Sequence, residues 1–459
     1  MLVPLIVACA MLMESMDATV ITTSLPAIAH ELGYSPVTLK LALTAYVAGL
    51  GIFIPISGWM ADRFGARRVF SAAIVVFMAG SLGCAVSQTL TGFVLARFLQ
   101  GIGGAMMVPV GRIVIFRTVP KSELIRAIGY LTIPALLGPV IGPPVGGFIT
   151  TYFDWRWIFL INLPLSGLGL WLSSRYLQAW REENCPPLDW PGFLLSGIGS
   201  ALAMLGLALV GTGLVPAPWI GLLCAGGAAL LIGYWRHAER TEEPLLDLRL
   251  LRIPTLRASV LGGSFFRLGL GATPFLLPLS LQVGMGHNAF VAGLVTCASA
   301  VGAITMKTIA AAVLQRFGYR RVMMVNACLS ALVLAGYGLF TAATPLWLMM
   351  AVVLFGGLFP SLQFTCLNTI IYADITDQDI SKATSLTSVM QQLSLGLGVT
   401  IAGLVLEGSS RLQGHATLVS GDFWPAFVII GLFSLLSVLP TRRLPAHAGH
   451  TLTAQAEQG

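Results

Sequence analysis

The chain has 459 residues, with 26 Lys and Arg against 19 Asp and Glu; 56% of it is hydrophobic and only 10% is charged. Its mean hydropathy is +0.85. Soluble domains carry about 25% charged residues, so this balance excludes a cytosolic enzyme, a secreted disulfide scaffold and a disordered chain, and leaves an integral membrane protein.

Along the chain, fourteen apolar stretches near the length of a membrane-spanning helix fall at roughly 2–25, 42–60, 69–87, 90–115, 125–150, 157–177, 190–211, 216–235, 256–282, 289–313, 322–341, 344–370, 382–406 and 423–440. Their continuity excludes a transmembrane barrel, whose strands alternate with period 2. The run from Leu2 has no basic residues before it, so it reads as a retained first span. The seven cysteines show no C-x-x-C or other metal spacing and read as small buried side chains. Neither a metal nor a cofactor is expected. No G-x-x-x-x-G-K-[ST] loop occurs, so a gradient rather than ATP must supply energy.

Basic residues set the orientation. One set of alternate loops holds Arg63, Arg67, Arg68, Arg117, Lys121, Arg126, Arg175, Arg181 and the run from Arg236 to Arg257. It continues with Arg316, Arg320, Arg321, Lys382, Arg442 and Arg443, whereas the other side has only Lys40, Arg156 and Arg411. That bias places both termini in the cytoplasm. It also accounts for the +7 charge better than nucleic acid would. In the longest cytoplasmic loop, Thr241-Glu242-Glu243-Pro244 and the leucines from Leu245 to Leu251 read as an interfacial helix.

A nonapeptide repeats. Ala61 to Val69 and Leu314 to Val322, 253 residues apart, share Arg, Phe, Gly, Arg, Arg and Val in order. With the seventh and eighth spans set aside, the copies follow the second and eighth helices of a six-plus-six core. The expected fold is therefore an all-α integral membrane protein of two six-helix bundles plus two linker helices. Its segments are 1–180 for the first bundle, 181–240 for the inserted pair, 241–255 for the interfacial segment, 256–443 for the second bundle and 444–459 for a cytoplasmic tail.

Chemistry concentrates in the first span and the fourth. Glu14 and Asp17 lie three residues apart, on one helical face. A charge at a span centre costs about 2.5–3.5 kcal/mol on insertion scales, so the pair is expected to face a hydrated cavity and to hold either a proton or a cation. Arg97 has no neutral form and must pair or snorkel, with Gln100 one turn away. In the second half, Arg267, Lys307, Asn368, Gln391 and Gln392 are polar groups in or near spans and are taken as substrate-cavity candidates.

These residues resemble the major facilitator superfamily, specifically its fourteen-span drug:proton antiporter branch. Gly58, Asp62, Arg63, Gly65, Arg67 and Arg68 resemble the G-x-x-x-D-R-x-G-R-[RK] loop, with Ala66 at a position that is usually basic. Arg97 to Gly103 matches R-x-x-Q-G-x-G. Gly138, Pro139, Gly142, Pro143, Gly146 and Gly147 are similar to the span 5 antiporter motif. Asp17-Ala18-Thr19-Val20 with Leu25-Pro26 resembles the span 1 motif, and Trp155 to Pro164 resembles W-R-W-x-F-x-I-N-x-P. The resemblance covers essentially the whole chain. It implies proton coupling through Asp17, Glu14, Arg97 and Gln100, a gating loop at Asp62 and Arg63, and a tight seam at the span 5 glycines. It further implies a monomeric exporter of small amphipathic compounds or drugs in a bacterial inner membrane, with protons and lipid as its other partners. Two readings stay beside it: export of organic anions or metal chelates, favoured by Arg267 and Lys307, and a membrane sensor or scaffold without flux. No coherent His, Cys or Ser constellation points to an enzyme.

Overall fold

The computed structural model describes residues 2–118, 124–177, 185, 187–376, 379–415 and 417–445; side chains are described for these except 2, 116–117, 124–135 and 372. Expectations for Arg117, Lys121, Arg126 and Arg181, and for the tail from residue 446, fall on side chains or residues outside this set.

Long helices cover each apolar stretch. They are α1 Leu2–Leu32, α2 Lys40–Phe64, α3 Ala66–Val86, α4 Leu90–Thr118 and α5 Leu124–Tyr152. α6 Trp157–Tyr176, α7 Trp190–Leu209, α8 Ala217–Arg240 and α9 Pro254–Gly284 follow. The series ends with α10 Ala289–Phe317, α11 Tyr319–Tyr337, α12 Leu346–Thr369, α13 Ile380–Leu412 and α14 Ser420–Thr441. Among the described residues, twelve helices are long and apolar enough to cross a membrane; α5, partly outside the described side chains, and the shorter α11 are not among them.

Local chemistry explains the breaks. The repeated nonapeptide is a helix–glycine–helix corner in both copies. Gly65 (φ +92°) and Gly318 (φ +73°) sit in the left-handed region, and their N–H groups donate to Ala61 O at 3.0 Å and Leu314 O at 2.9 Å. Each glycine carbonyl then accepts from the N–H of Val69 or Val322, both at 3.1 Å, which starts the next helix. Only glycine reaches that backbone without a Cβ penalty. Thus the repeat seen in the sequence is a repeated backbone device.

The chain divides into two compact units, residues 1–245 with 288–293, and 246–287 with 294–459. The inserted pair α7–α8 belongs to the first unit and is held there near both of its ends. Lys40, fully buried at the start of α2, donates through Nζ to Val210 O at 3.1 Å, just past α7. At the other end, Asp189 caps α7. Its carboxylate accepts from Gly192 N at 2.9 Å, from Leu245 N at 3.2 Å and from His237 Nε2 of α8 at 2.7 Å.

The expected interfacial helix is not formed. Residues 241–247 are non-helical, and only a five-residue 3-10 turn, Leu248–Arg252, follows. Pro244 disfavours helical backbone at Glu243, and Asp247 accepts from Arg249 N at 3.0 Å to start the turn.

Burial pushes the Asp189 carboxyl up, but its hydrogen bonds to Gly192, His237 and Leu245 outweigh that and hold it below the usual carboxylate range. A lowered carboxyl contributes stability above its unfolded value, near pH 4, and loses it as pH falls through the folded value. Asp189→Asn should therefore lower the unfolding temperature at pH 7. The gap to the unmodified chain should close below about pH 4. Thermal scans from pH 3 to 8 check this, and a gap as large at pH 3 as at pH 7 would contradict it. Asparagine keeps the cap; alanine there would remove it as well, at a further cost of about 0.5–2 kcal/mol.

Candidate functional site

In the first unit, α1, α3, α4 and α6 bring a buried polar cluster together. Asp17 is 3% exposed and Arg97, Gln100 and Asn162 are 0–2% exposed. Arg97 Nη1 donates to Asp17 Oδ2 at 2.6 Å and to Gln100 Oε1 at 2.6 Å. Gln100 Nε2 donates to Asp17 Oδ1 at 2.7 Å and to Ser81 Oγ at 2.8 Å. Asn162 Nδ2 reaches the same two acceptors, at 2.9 and 3.2 Å. The Asp17 carboxylate thus has a cation and two amide donors around it.

Tyr46 of α2 joins this cluster to the second carboxylate. The Arg97 guanidinium lies over the Tyr46 ring, 4.3 Å from its centroid, and the phenol donates to Glu14 Oε1 at 3.2 Å. Glu14 is half-buried. The expectation that Asp17 faces a hydrated cavity is corrected: its charge is met by Arg97 instead of water. The cost of burying a charge is reduced only when the group is paired and hydrogen-bonded, and each of the residues around Asp17 contributes to that. Two further guanidinium donors, Arg97 Nε and Nη2, are buried without a partner.

Tyr46, Ser81 and Asn162 escaped the sequence reading as site residues. Asn162 stands in the W-R-W-x-F-x-I-N-x-P stretch, which is its only signal. Tyr46 and Ser81 look like ordinary helix residues.

The span 5 glycines pack on α1. A Cβ on Gly138 would collide with Ser15, one on Gly142 with Thr19 Oγ1, and one on Gly146 with the Val20 carbonyl. Thr19 Oγ1 sits 3.3 Å from Gly138 O. Gly147 packs on Ala289, within the same unit. Helical backbone runs unbroken through Pro139 and Pro143. Small residues permit this close approach of backbones, and the helix so fitted carries Glu14 and Asp17.

The loop residues are more open. Arg63 and Arg68 are exposed, Asp62 is half-buried, and Arg67 donates through Nη2 to Ser174 O. Gly58 has no atom within 4 Å of a built Cβ.

In the second unit, Arg267 and Asn368 come together, with Nη2 to Oδ1 at 3.3 Å. Arg267 is fully buried, its Nε and Nη1 have no partner, and Phe364 lies 5.9 Å from its guanidinium. Lys307 is exposed, and Gln391 and Gln392 are half-buried. Among the described residues no hydrogen bond or ion pair joins these three to Arg267. Nor do those residues contain a group of three or more His, Cys, Asp or Glu placed to hold a metal ion.

The family model described as Major Facilitator Superfamily matches residues 7–235 and 259–458. The chain is 40% identical to a putative multidrug resistance protein MdtD of Cronobacter sakazakii, over 96% of this chain and 94% of that one. It is 41% identical to the protein of the same description from Salmonella heidelberg, over 87% and 85%. Among solved structures, a D-xylose-proton symporter superposes with a TM-score of 0.69 at 17% identity, over 97% of this chain and 98% of that one.

Proposed function

The chain belongs to the Major Facilitator Superfamily, and from that premise we propose that it is a proton-coupled exporter of small amphipathic or drug-like compounds. The names of its MdtD relatives support the cargo class. We place it as a monomer in a bacterial inner membrane, with fourteen spans and both termini cytoplasmic, acting by alternating access and without enzymatic chemistry.

The observation that carries this reading is the buried Asp17–Arg97 pair, bridged through Tyr46 to Glu14. A proton arriving on Asp17 removes the charge that Arg97 pairs with, and frees a guanidinium already short of partners. A proton arriving on Glu14 changes the acceptor of the Tyr46 phenol, whose ring supports that guanidinium. Either event alters how α1, α2 and α4 are held together. A cargo that competes for these groups would exchange with the proton. Asp62, Arg63, Arg67 and Arg68 would act as the gating loop, and Arg267, Lys307, Asn368, Gln391 and Gln392 would line the cargo path. Moving one charge through 100 mV is worth about 2.3 kcal/mol, enough to drive such an exchange.

Reconstituted protein with an imposed pH gradient tests the proposal. Cargo-dependent proton flux is expected from the unmodified chain, and flux at the level of empty vesicles from Asp17→Asn. Undiminished flux in Asp17→Asn removes Asp17 from the coupling. A second reading, export of organic anions, is favoured by the unpartnered Arg267 donors. It predicts flux with carboxylates and none with cationic drugs.

A further inference from the structure

Each unit carries an apolar groove, and the two grooves are copies. One, of about 300 Å³, lies among α2, α3 and α4. The other, of about 400 Å³, lies among α10, α11 and α12. Their linings correspond at the spacing of the repeated nonapeptide: Phe64 and Phe317, Arg68 and Arg321, Met106 and Phe359 are each 253 residues apart.

Each groove is apolar along its length and ends on a single arginine. Arg68 and Arg321 stand at the first turn of α3 and α11, are exposed, and pair with no carboxylate among the described residues. The neighbouring arginines are engaged or turned elsewhere: Arg67 bonds to Ser174 O, and Arg320 Nε is buried. The helix–glycine–helix corners at Gly65 and Gly318 fix this placement, because the cation follows the glycine by three residues in both copies. An apolar trough open along its side, on a multi-pass membrane protein, with a free guanidinium at one end, has the charge and polarity order of one lipid molecule. A soluble anion would not need the trough, and an apolar drug would not need the arginine.

We propose that these grooves are two repeat-related binding sites for anionic phospholipid, each taking one acyl chain in the trough and the headgroup phosphate on Arg68 or Arg321. The first groove is lined there by Ala72 and Ala73; the second is lined by Val325 and by Asn326, whose amide donates to Phe359 O at 2.6 Å and so leaves the trough apolar.

The test is native mass spectrometry of the detergent-purified full chain, titrated with phosphatidylglycerol or with phosphatidylcholine of the same acyl chains. Two phosphatidylglycerol adducts are expected above the phosphatidylcholine background. Arg68→Gln and Arg321→Gln should each weaken one of them about fivefold, the factor for one basic side chain at an anionic surface. Ala72→Trp and Val325→Trp, which fill a trough and keep its arginine, should each remove one adduct. These exposed positions guard against a result caused by misfolding. Equal retention of both lipids overturns the proposal, as does full phosphatidylglycerol binding in the Arg68→Gln/Arg321→Gln chain. Displacement of the lipid by inorganic phosphate alone would show anion sites without an acyl chain, and overturns it as well.

Discussion

Arg97→Met should cost about 3–5 kcal/mol of stability and abolish proton-coupled transport. The substitution keeps the bulk of the side chain and removes its charge, leaving the Asp17 carboxylate buried with only Gln100 and Asn162 as donors. Breaking a buried pair from one side costs that much because the surviving charge has no compensation. Asp17→Asn combined with the same Arg97→Met removes both charges, so it should recover most of the stability while transport stays lost. Thermal or denaturant unfolding of the four chains gives the coupling energy of the cycle. An Arg97→Met chain as stable as the unmodified one would falsify the description of the pair as a buried, mutually dependent unit.

A second large effect is expected at the seam between α1 and α5. Gly142→Val places its Cβ against Thr19 Oγ1 in a contact with no slack. Overpacking of this kind costs typically about 1–3 kcal/mol, and here the displaced helix carries Asp17 two residues away. Transport should therefore fall by more than the loss of folded protein explains. The comparison is Gly58→Ala, at a glycine of the gating loop motif with open space around it. Inside a helix that change gains about 0.5–1 kcal/mol, so the chain should be no less stable. Folded yield, unfolding temperature and flux per folded molecule, measured on both variants, decide the matter. Equal behaviour of the two would mean that the seam does not position α1.

Much of this was legible in the sequence, for physical reasons. Apolar runs announce helices because a backbone in lipid must satisfy its own hydrogen bonds, and every run found in the sequence lies on a helix. Asp17 and Arg97 stood out because charge is expensive in such runs, and Gln100 because it lies one turn from Arg97. What a linear reading could not supply was the partner. Asp17 looked like one of two acids facing water, and only the meeting of α1 with α4 and α6 shows a carboxylate enclosed by Arg97, Gln100 and Asn162. Tyr46 was invisible because a tyrosine in a span is unremarkable until a guanidinium lies on its ring. The leucines after Pro244 misled, since their spacing suits a helix but a proline and the Asp247 turn interrupt it. Lys40 was legible only as a basic residue on the sparse side; that it is fully buried and donates to the backbone just past α7 appears only in three dimensions.

The fastening of that inserted pair changes what joins the two units. A long insertion between two bodies would ordinarily act as a tether, diluting each in the volume explored by the other and adding loop-closure entropy as it lengthens. Here the insertion returns to its own unit, and Asp189 grips the backbone N–H of Leu245, the last residue of the main segment of that unit. The chain then passes into the second unit directly, at Leu246. Two helices have been added to the chain without lengthening the connection that leaves the first unit at Leu245.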